Sequence, residues 1–280
     1  MAYRLLLQPA GLLLAAAAAL QAQNALEIVT KSLEHDGFNA KPSRDYVFVK
    51  KDQERHFDAK GKVVGDASLT VEVAVLYDQP YERLIEKNGK PLPPDKQRAE
   101  QAKFDKAIEK RQHETPEQKA KREETERKMD AEELSCRAEL AKTFTFRLTG
   151  TEVVNGRPAW VIQADPIAAA TPRCGDNKIA KKCHLRLWID QEDARWAKLE
   201  AETDEPVSLG LFLVKAPKGA KFSYDQIRLD AGVWMPTREY GRYDVKVAMV
   251  KTVHMEETTT YWNYHKFQAD TRIVSVGEVK

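Results

Sequence analysis

Apolar and polar positions alternate with period two along much of this chain. In FTFRLTGTEVVNGRPAWVIQAD, Phe144, Phe146 and Leu148 fall on one face while Thr145, Arg147 and Thr149 fall on the other. After Asn155-Gly156, Trp160, Ile162 and Ala164 alternate with Ala159, Val161 and Gln163. Asn-Gly accepts positive φ at both positions and closes a tight hairpin. The same alternation recurs in Leu69 to Tyr77, where Val71, Val73 and Val75 share a face opposite Thr70, Glu72 and Ala74. It returns in LRLWID, KLEAET, SLGLFLV, KFSYDQIRLD and VKVAMV. The pattern predicts an antiparallel meander with strands over Tyr46–Phe57, Leu69–Tyr77, Phe222–Leu229, Val233–Tyr240, Tyr243–Val250 and Met255–Phe267. Gly219, Gly232 and Gly241 punctuate the last of these. The run SLGLFLV, apolar on both faces, is expected to be one buried strand.

Two stretches break the rhythm. Ala25 to Gly37 reads as an amphipathic helix with Leu26, Val29 and Leu33 along one face and Gly37 as its stop. Residues 93–142 lack glycine and are dominated by Lys, Arg, Glu, Asp, Gln and Ala. They predict a helical hairpin arm, about Asp95–His113 and Pro116–Ala141, with Pro116 at a first helical position and Glu117 beside the positive end of the dipole. Its apolar anchors are sparse: Phe104, Ile108, Met129, Leu134 and Leu140. A solvated hairpin laced with local ion pairs is the simpler reading of the arm, and a partner-docking element the other.

Composition adds less. The 280 residues carry a net charge of +2, so charge names neither a nucleic acid nor an acidic substrate as partner. Residues 1–22 show one Arg, an apolar run and then small residues, the pattern of a cleaved secretory signal with the mature end between Leu20 and Ala25. The expected location is the periplasm, with no membrane span in the mature chain. In that oxidising compartment Cys174 and Cys183, with eight residues between them in a polar loop, are expected to pair, contributing roughly 2–3 kcal/mol. Cys136 is then left as a structural thiol. A zinc site from Cys174, Cys183 and His184 lacks the second cluster such sites use. No phosphate loop, nucleophile elbow, metalloprotease helix or dinucleotide fingerprint occurs, and the six His are scattered, so no catalytic residue, metal or cofactor is assigned.

The motifs V-N-G-R-P-A-W-V-I at Val154 to Ile162, L-W-I-D at Leu187 to Asp190, V-W-M-P at Val233 to Pro236 and Y-W-N-Y-H-K-F at Tyr261 to Phe267 together resemble the bacterial outer-membrane lipoprotein-sorting superfamily, which includes the LolA and LolB carriers. That resemblance covers most of the mature chain. It implies a mainly β (α+β) fold: a strongly curved antiparallel sheet, an incomplete barrel, with helices over its concave side and an apolar cavity for acyl chains. One domain over 23–280 with a helical insertion at 93–142 is expected. The arm and the Cys174–Cys183 loop depart from the compact carriers. The candidate cavity residues, taken from the alternating sets, are Val73, Val75, Phe144, Phe146, Leu148, Trp160, Ile162, Leu187, Ile189 and Leu211. The implied function is a non-enzymatic periplasmic carrier for a lipid or lipidated protein. The alternative is an envelope interaction protein with a packed sheet, whose arm docks a partner.

Overall fold

The computed structural model describes residues 24–35, 43–77, 79–209, 214–229, 232–247 and 251–267. The expected signal segment 1–22, Gly37 and Leu211 lie outside these. The described chain is mainly β with helices, and its strand pairings are antiparallel. It divides into two units, Met1–Gly37 with Lys128–Gln226, and Phe38–Arg127 with Ile227–Lys280.

In chain order the elements are α1 (24–35), β1 (Tyr46–Phe57), β2 (Val63–Leu76), β3 (Gln79–Lys87), β4 (Lys90–Pro91), α2 (Pro94–Gln112), α3 (Pro116–Thr143), β5 (Phe144–Val154) and β6 (Arg157–Pro166). Then follow α4 (Gly175–Ala180), β7 (Cys183–Asp190), β8 (Trp196–Thr203), β9 (Val207–Leu209), β10 (Val214–Ala216), β11 (Lys221–Arg228), β12 (Trp234–Val247) and β13 (Lys251–Lys266).

In the first unit the order is β5-β6-β7-β8-β11. Asn155 and Gly156, at φ 50° and 77°, close the β5–β6 hairpin as the dipeptide predicts. Both faces of β6 and β7 are covered. One carries Phe144, Phe146, Ile162, Ala164, Leu185, Leu187 and Ile189, packed with α1. The other carries Ala159, Val161 and Trp188. On that second face the Trp188 indole donates to Glu152 Oε2 at 2.8 Å, with the Arg186 and Lys198 cations each 4.6 Å from its ring. These charged groups thus lie over a tryptophan that alternation alone would place in water.

Three expectations are corrected here. Leu26, expected on the apolar stripe of α1, is 41% exposed, because the stripe runs through Ala25, Ile28, Val29, Ser32 and Leu33 at helical spacing. SLGLFLV is split: β9 and β10 pair antiparallel, Val214 opposite Leu209, where one strand was expected. The bridge is Cys136–Cys174, and Cys183 is a buried free thiol. The cause of this last change lies in α3 and α4. The Glu139 carboxylate accepts the Arg173 N–H at 2.7 Å, the Cys174 N–H at 3.2 Å and the Asn177 amide at 2.8 Å, and Asn177 also donates to the Cys136 carbonyl at 2.8 Å. These bonds hold the start of α4 against the end of α3, where the two Cα atoms are 5.7 Å apart. Cys183 instead begins β7 with its side chain in the core beneath α1. The loop closed spans 38 residues, which limits the unfolded chain by about 4 kcal/mol on chain-entropy grounds. Alkylation of denatured, unreduced protein should therefore mark Cys183 alone; a peptide map with label on Cys136 and Cys174 would overturn this pairing.

In the second unit the order is β4-β3-β2-β1-β13-β12. Asn88-Gly89, at φ 53° and 69°, closes β3–β4, and Asp58 accepts the N–H groups of Lys60 and Lys62, both at 2.9 Å, to close β1–β2. Strand β2 departs from the expected alternation, since every residue from Thr70 to Leu76 is buried. The face read as wet is covered by α2: Ala74 and Leu76 pack with Phe104, and Phe104 meets the Tyr81 ring edge-on at 5.2 Å. Glu72 on that strand pairs with Arg83, which also donates to Gln101 of α2 at 2.9 Å. Gly241 does not end a strand; β12 runs through it, with Gly241 opposite Glu257 of β13. Between the arm helices Thr115 and Gln118 form a reciprocal capping box, Gln118 N–H to Thr115 Oγ1 at 3.2 Å and Thr115 N–H to Gln118 Oε1 at 3.0 Å.

Candidate functional site

The apolar face beneath α1 in the first unit brings together most of the candidate residues. Register aligns them across strands: Phe146 opposite Ala164 and then Leu185, Leu148 opposite Ile162 and then Leu187, Trp160 opposite Ile189. Ile162 and Ile189 are 0% exposed and Leu187 is 1% exposed, while Leu148 and Trp160 are partly buried at the margin of the same cluster. The Phe144 and Phe146 ring centroids are 6.4 Å apart. Val73 and Val75 are buried on β2 of the second unit and do not belong to this cluster. Leu211 lies outside the described residues.

Four α1 side chains, Ala25, Ile28, Val29 and Leu33, lie on this face. Two polar links fix the helix. The Trp196 indole N–H donates to Ser32 Oγ at 2.8 Å, and that hydroxyl donates to the Val29 carbonyl at 2.7 Å. His35 Nδ1 lies 2.8 Å from the Asp193 carbonyl, so that nitrogen carries the proton. Asp193 belongs to the β7–β8 turn, which Asp190 organises. The Asp190 carboxylate, 1% exposed, takes two bonds from Arg157 at 2.6 and 2.8 Å and the N–H groups of Glu192 and Asp193 at 3.0 and 2.8 Å. Burial pushes this carboxyl up, but the Arg157 and backbone hydrogen bonds and the Arg157 charge outweigh it and hold it below its usual value.

Within the cluster Cys183 is the titratable member, and burial, helped by the Asp204 charge, pushes its thiol up to about 11. A thiol so placed stays protonated near neutrality and does not act as a nucleophile. No group of three or more His, Cys, Asp or Glu among the described residues is placed to hold a metal ion. What this face can do chemically is bury apolar matter.

No family model and no curated protein sequence matches the chain. Solved structures do align with it over most of its length. A DUF1329 family protein from Desulfovibrio piger has 8% identity and a TM-score of 0.33, covering 90% of this chain and 95% of its own. A putative outer membrane lipoprotein-sorting protein domain from Vibrio parahaemolyticus has 10% identity and a TM-score of 0.33, with the same coverages of 90% and 95%. A LolA superfamily protein from Nitrosomonas europaea has 12% identity and a TM-score of 0.29, covering 87% of this chain and 93% of its own. Among the described residues, no helix is long and apolar enough to cross a membrane.

Sequence reading missed Ser32, Trp196, Leu199, Leu140 and Ala141 as members of or neighbours to this site. Ser32 left a signal: a hydroxyl residue in the middle of an otherwise apolar helical stripe needs a buried partner. Leu140 left a signal too, as one of the few apolar anchors of the arm, whereas Ala141 left none, because the helix that carries it is charged almost throughout.

Proposed function

We propose that this protein is an exported, non-enzymatic carrier whose β5–β8 face takes up the acyl chains of a lipid or lipidated protein when α1 moves aside. The supporting observation is that a continuous apolar face, from Phe144 to Ile189, is covered by a short helix through a few modest side chains. Ile28, Val29 and Leu33 gain about 1.5–3 kcal/mol each by burial. An acyl chain of about sixteen carbons gains about 0.8 kcal/mol per methylene, so exchange of helix for ligand is energetically open. Export to the periplasm is supported by the residue pattern at 1–22 and by the Cys136–Cys174 bridge, since such bridges persist in oxidising compartments.

The test is uptake of a fluorescent fatty-acyl probe, with mass spectrometry of lipid that accompanies the purified protein. Ser32→Ala leaves the Trp196 N–H without its acceptor, costs about 1–3 kcal/mol of α1 docking, and should raise probe uptake. Trp160→Glu, at the partly exposed margin, should lower it. No probe binding by well-folded wild-type and Ser32→Ala protein, together with no accompanying lipid, would favour the second reading. In that reading the packed face is a permanent core and the arm docks an envelope partner; Met129 and Leu134, 64% and 58% exposed on α3, are the observation behind it.

A further inference from the structure

A concavity lies in the second unit, where the arm meets the start of β3. It measures 360 Å³, at the lower end of small-molecule sites and too small for a two-chain lipid. Leu76, Pro80, Tyr81 and Ala107 supply apolar walls, and Lys110, Arg111, Arg122 and Glu114 supply the charge, three cations against one carboxylate.

The cations are not equivalent. Arg122 is committed, with Nε and Nη2 on Glu114, each at 3.1 Å, and Nη1 on Glu126 at 3.1 Å. Arg111 gives Glu114 one long bond, Nη1 to Oε1 at 3.3 Å. Lys110, exposed one residue earlier on α2, makes no ion pair among the described residues. The Glu114–Arg122 pair therefore ties the second turn of α3 to the link that follows α2, and leaves Lys110 and the rest of the Arg111 guanidinium facing the cavity with positive charge. Among the apolar walls, Tyr81 is braced by its edge-on contact with Phe104.

We propose that this junction is a ligand site for a small anionic amphiphile: one carboxylate met by Lys110 and Arg111, and one short apolar chain lying on Leu76, Pro80, Tyr81 and Ala107. It is independent of the acyl-carrier reading, because none of its residues lies in the first unit. The arm would then be a sensing or loading element with its own ligand.

Calorimetric titration of the full chain with sodium octanoate tests this, with octanol as the uncharged control. Octanoate should bind saturably and octanol at least about tenfold more weakly, the loss of one charge-assisted contact. Lys110→Glu, an exposed change that leaves packing untouched, should weaken octanoate by about tenfold or more. Ala107→Leu, with its melt checked, should fill the cavity and remove binding. Trp160→Glu should leave octanoate binding unchanged. Equal affinity for octanol and octanoate, or binding that survives Lys110→Glu, would overturn the proposal. Loss in Trp160→Glu alone would assign octanoate to the face beneath α1, and absence of saturable binding would remove the site altogether.

Discussion

Asp190→Ala is expected to destabilise the protein by roughly 3–5 kcal/mol, because it leaves Arg157 without its bidentate partner and strips two N–H groups of the β7–β8 turn of their acceptor. Arg157 keeps contacts with Glu192 at 3.0 Å and Asp193 at 3.7 Å, but Glu192 is largely exposed and returns little of the loss. The pH dependence gives the sign. Asp190 has a folded-state value below its unfolded one, so its contribution is complete above the unfolded value near ~3.9 and is lost as pH falls through the folded value. Thermal or urea unfolding at neutral pH should separate wild type and Asp190→Ala widely, and the gap should close in strong acid. A gap that stays constant down to the acid limit would show that the ionised carboxylate is not what holds the turn. Since the same turn presents the Asp193 carbonyl to His35, Asp190→Ala should also loosen α1.

Ile162→Ala is expected to cost roughly 2–5 kcal/mol, as a fully enclosed side chain with neighbours on three strands leaves a void that cannot collapse readily. Ile162→Asp should cost more, since a carboxylate there meets no hydrogen-bond donor among the apolar side chains of its cluster, Leu148, Leu187, Ala25, Ile28, Val29 and Leu33. Denaturant titration decides it; a loss below about 1 kcal/mol for Ile162→Ala would mean that the α1-covered face is already open. For that reason Ile162 is a poor probe of ligand uptake, and marginal Trp160 is the better one.

The strands and their turns were legible because their causes are local. Asn88-Gly89 and Asn155-Gly156 take positive φ at both positions, and alternation sorted Phe144, Phe146, Ile162, Leu187 and Ile189 onto one face. The Thr115-Pro116 break between the arm helices was local too. What failed depended on partners far away in sequence. Thr70 to Leu76 reads as half wet because nothing near it announces that Phe104 will cover Ala74 and Leu76. Spacing suggested Cys174 with Cys183, yet α4 intervenes and Glu139, 35 residues before Cys174, gathers the true pair. Gly241 looks like a terminator, but an extended glycine can sit inside a long strand when its neighbours on β13 continue the ladder.

The bridge joins the first two cysteines of the chain and leaves the third buried. For a polypeptide crossing a membrane with its N-terminus leading, Cys136 and Cys174 both reach the oxidant before Cys183 emerges. The order of arrival then already selects the native partner, and once β7 forms, Cys183 is sealed away from exchange. Maturation of such a chain calls for a thiol oxidase and makes no demand on a disulfide isomerase.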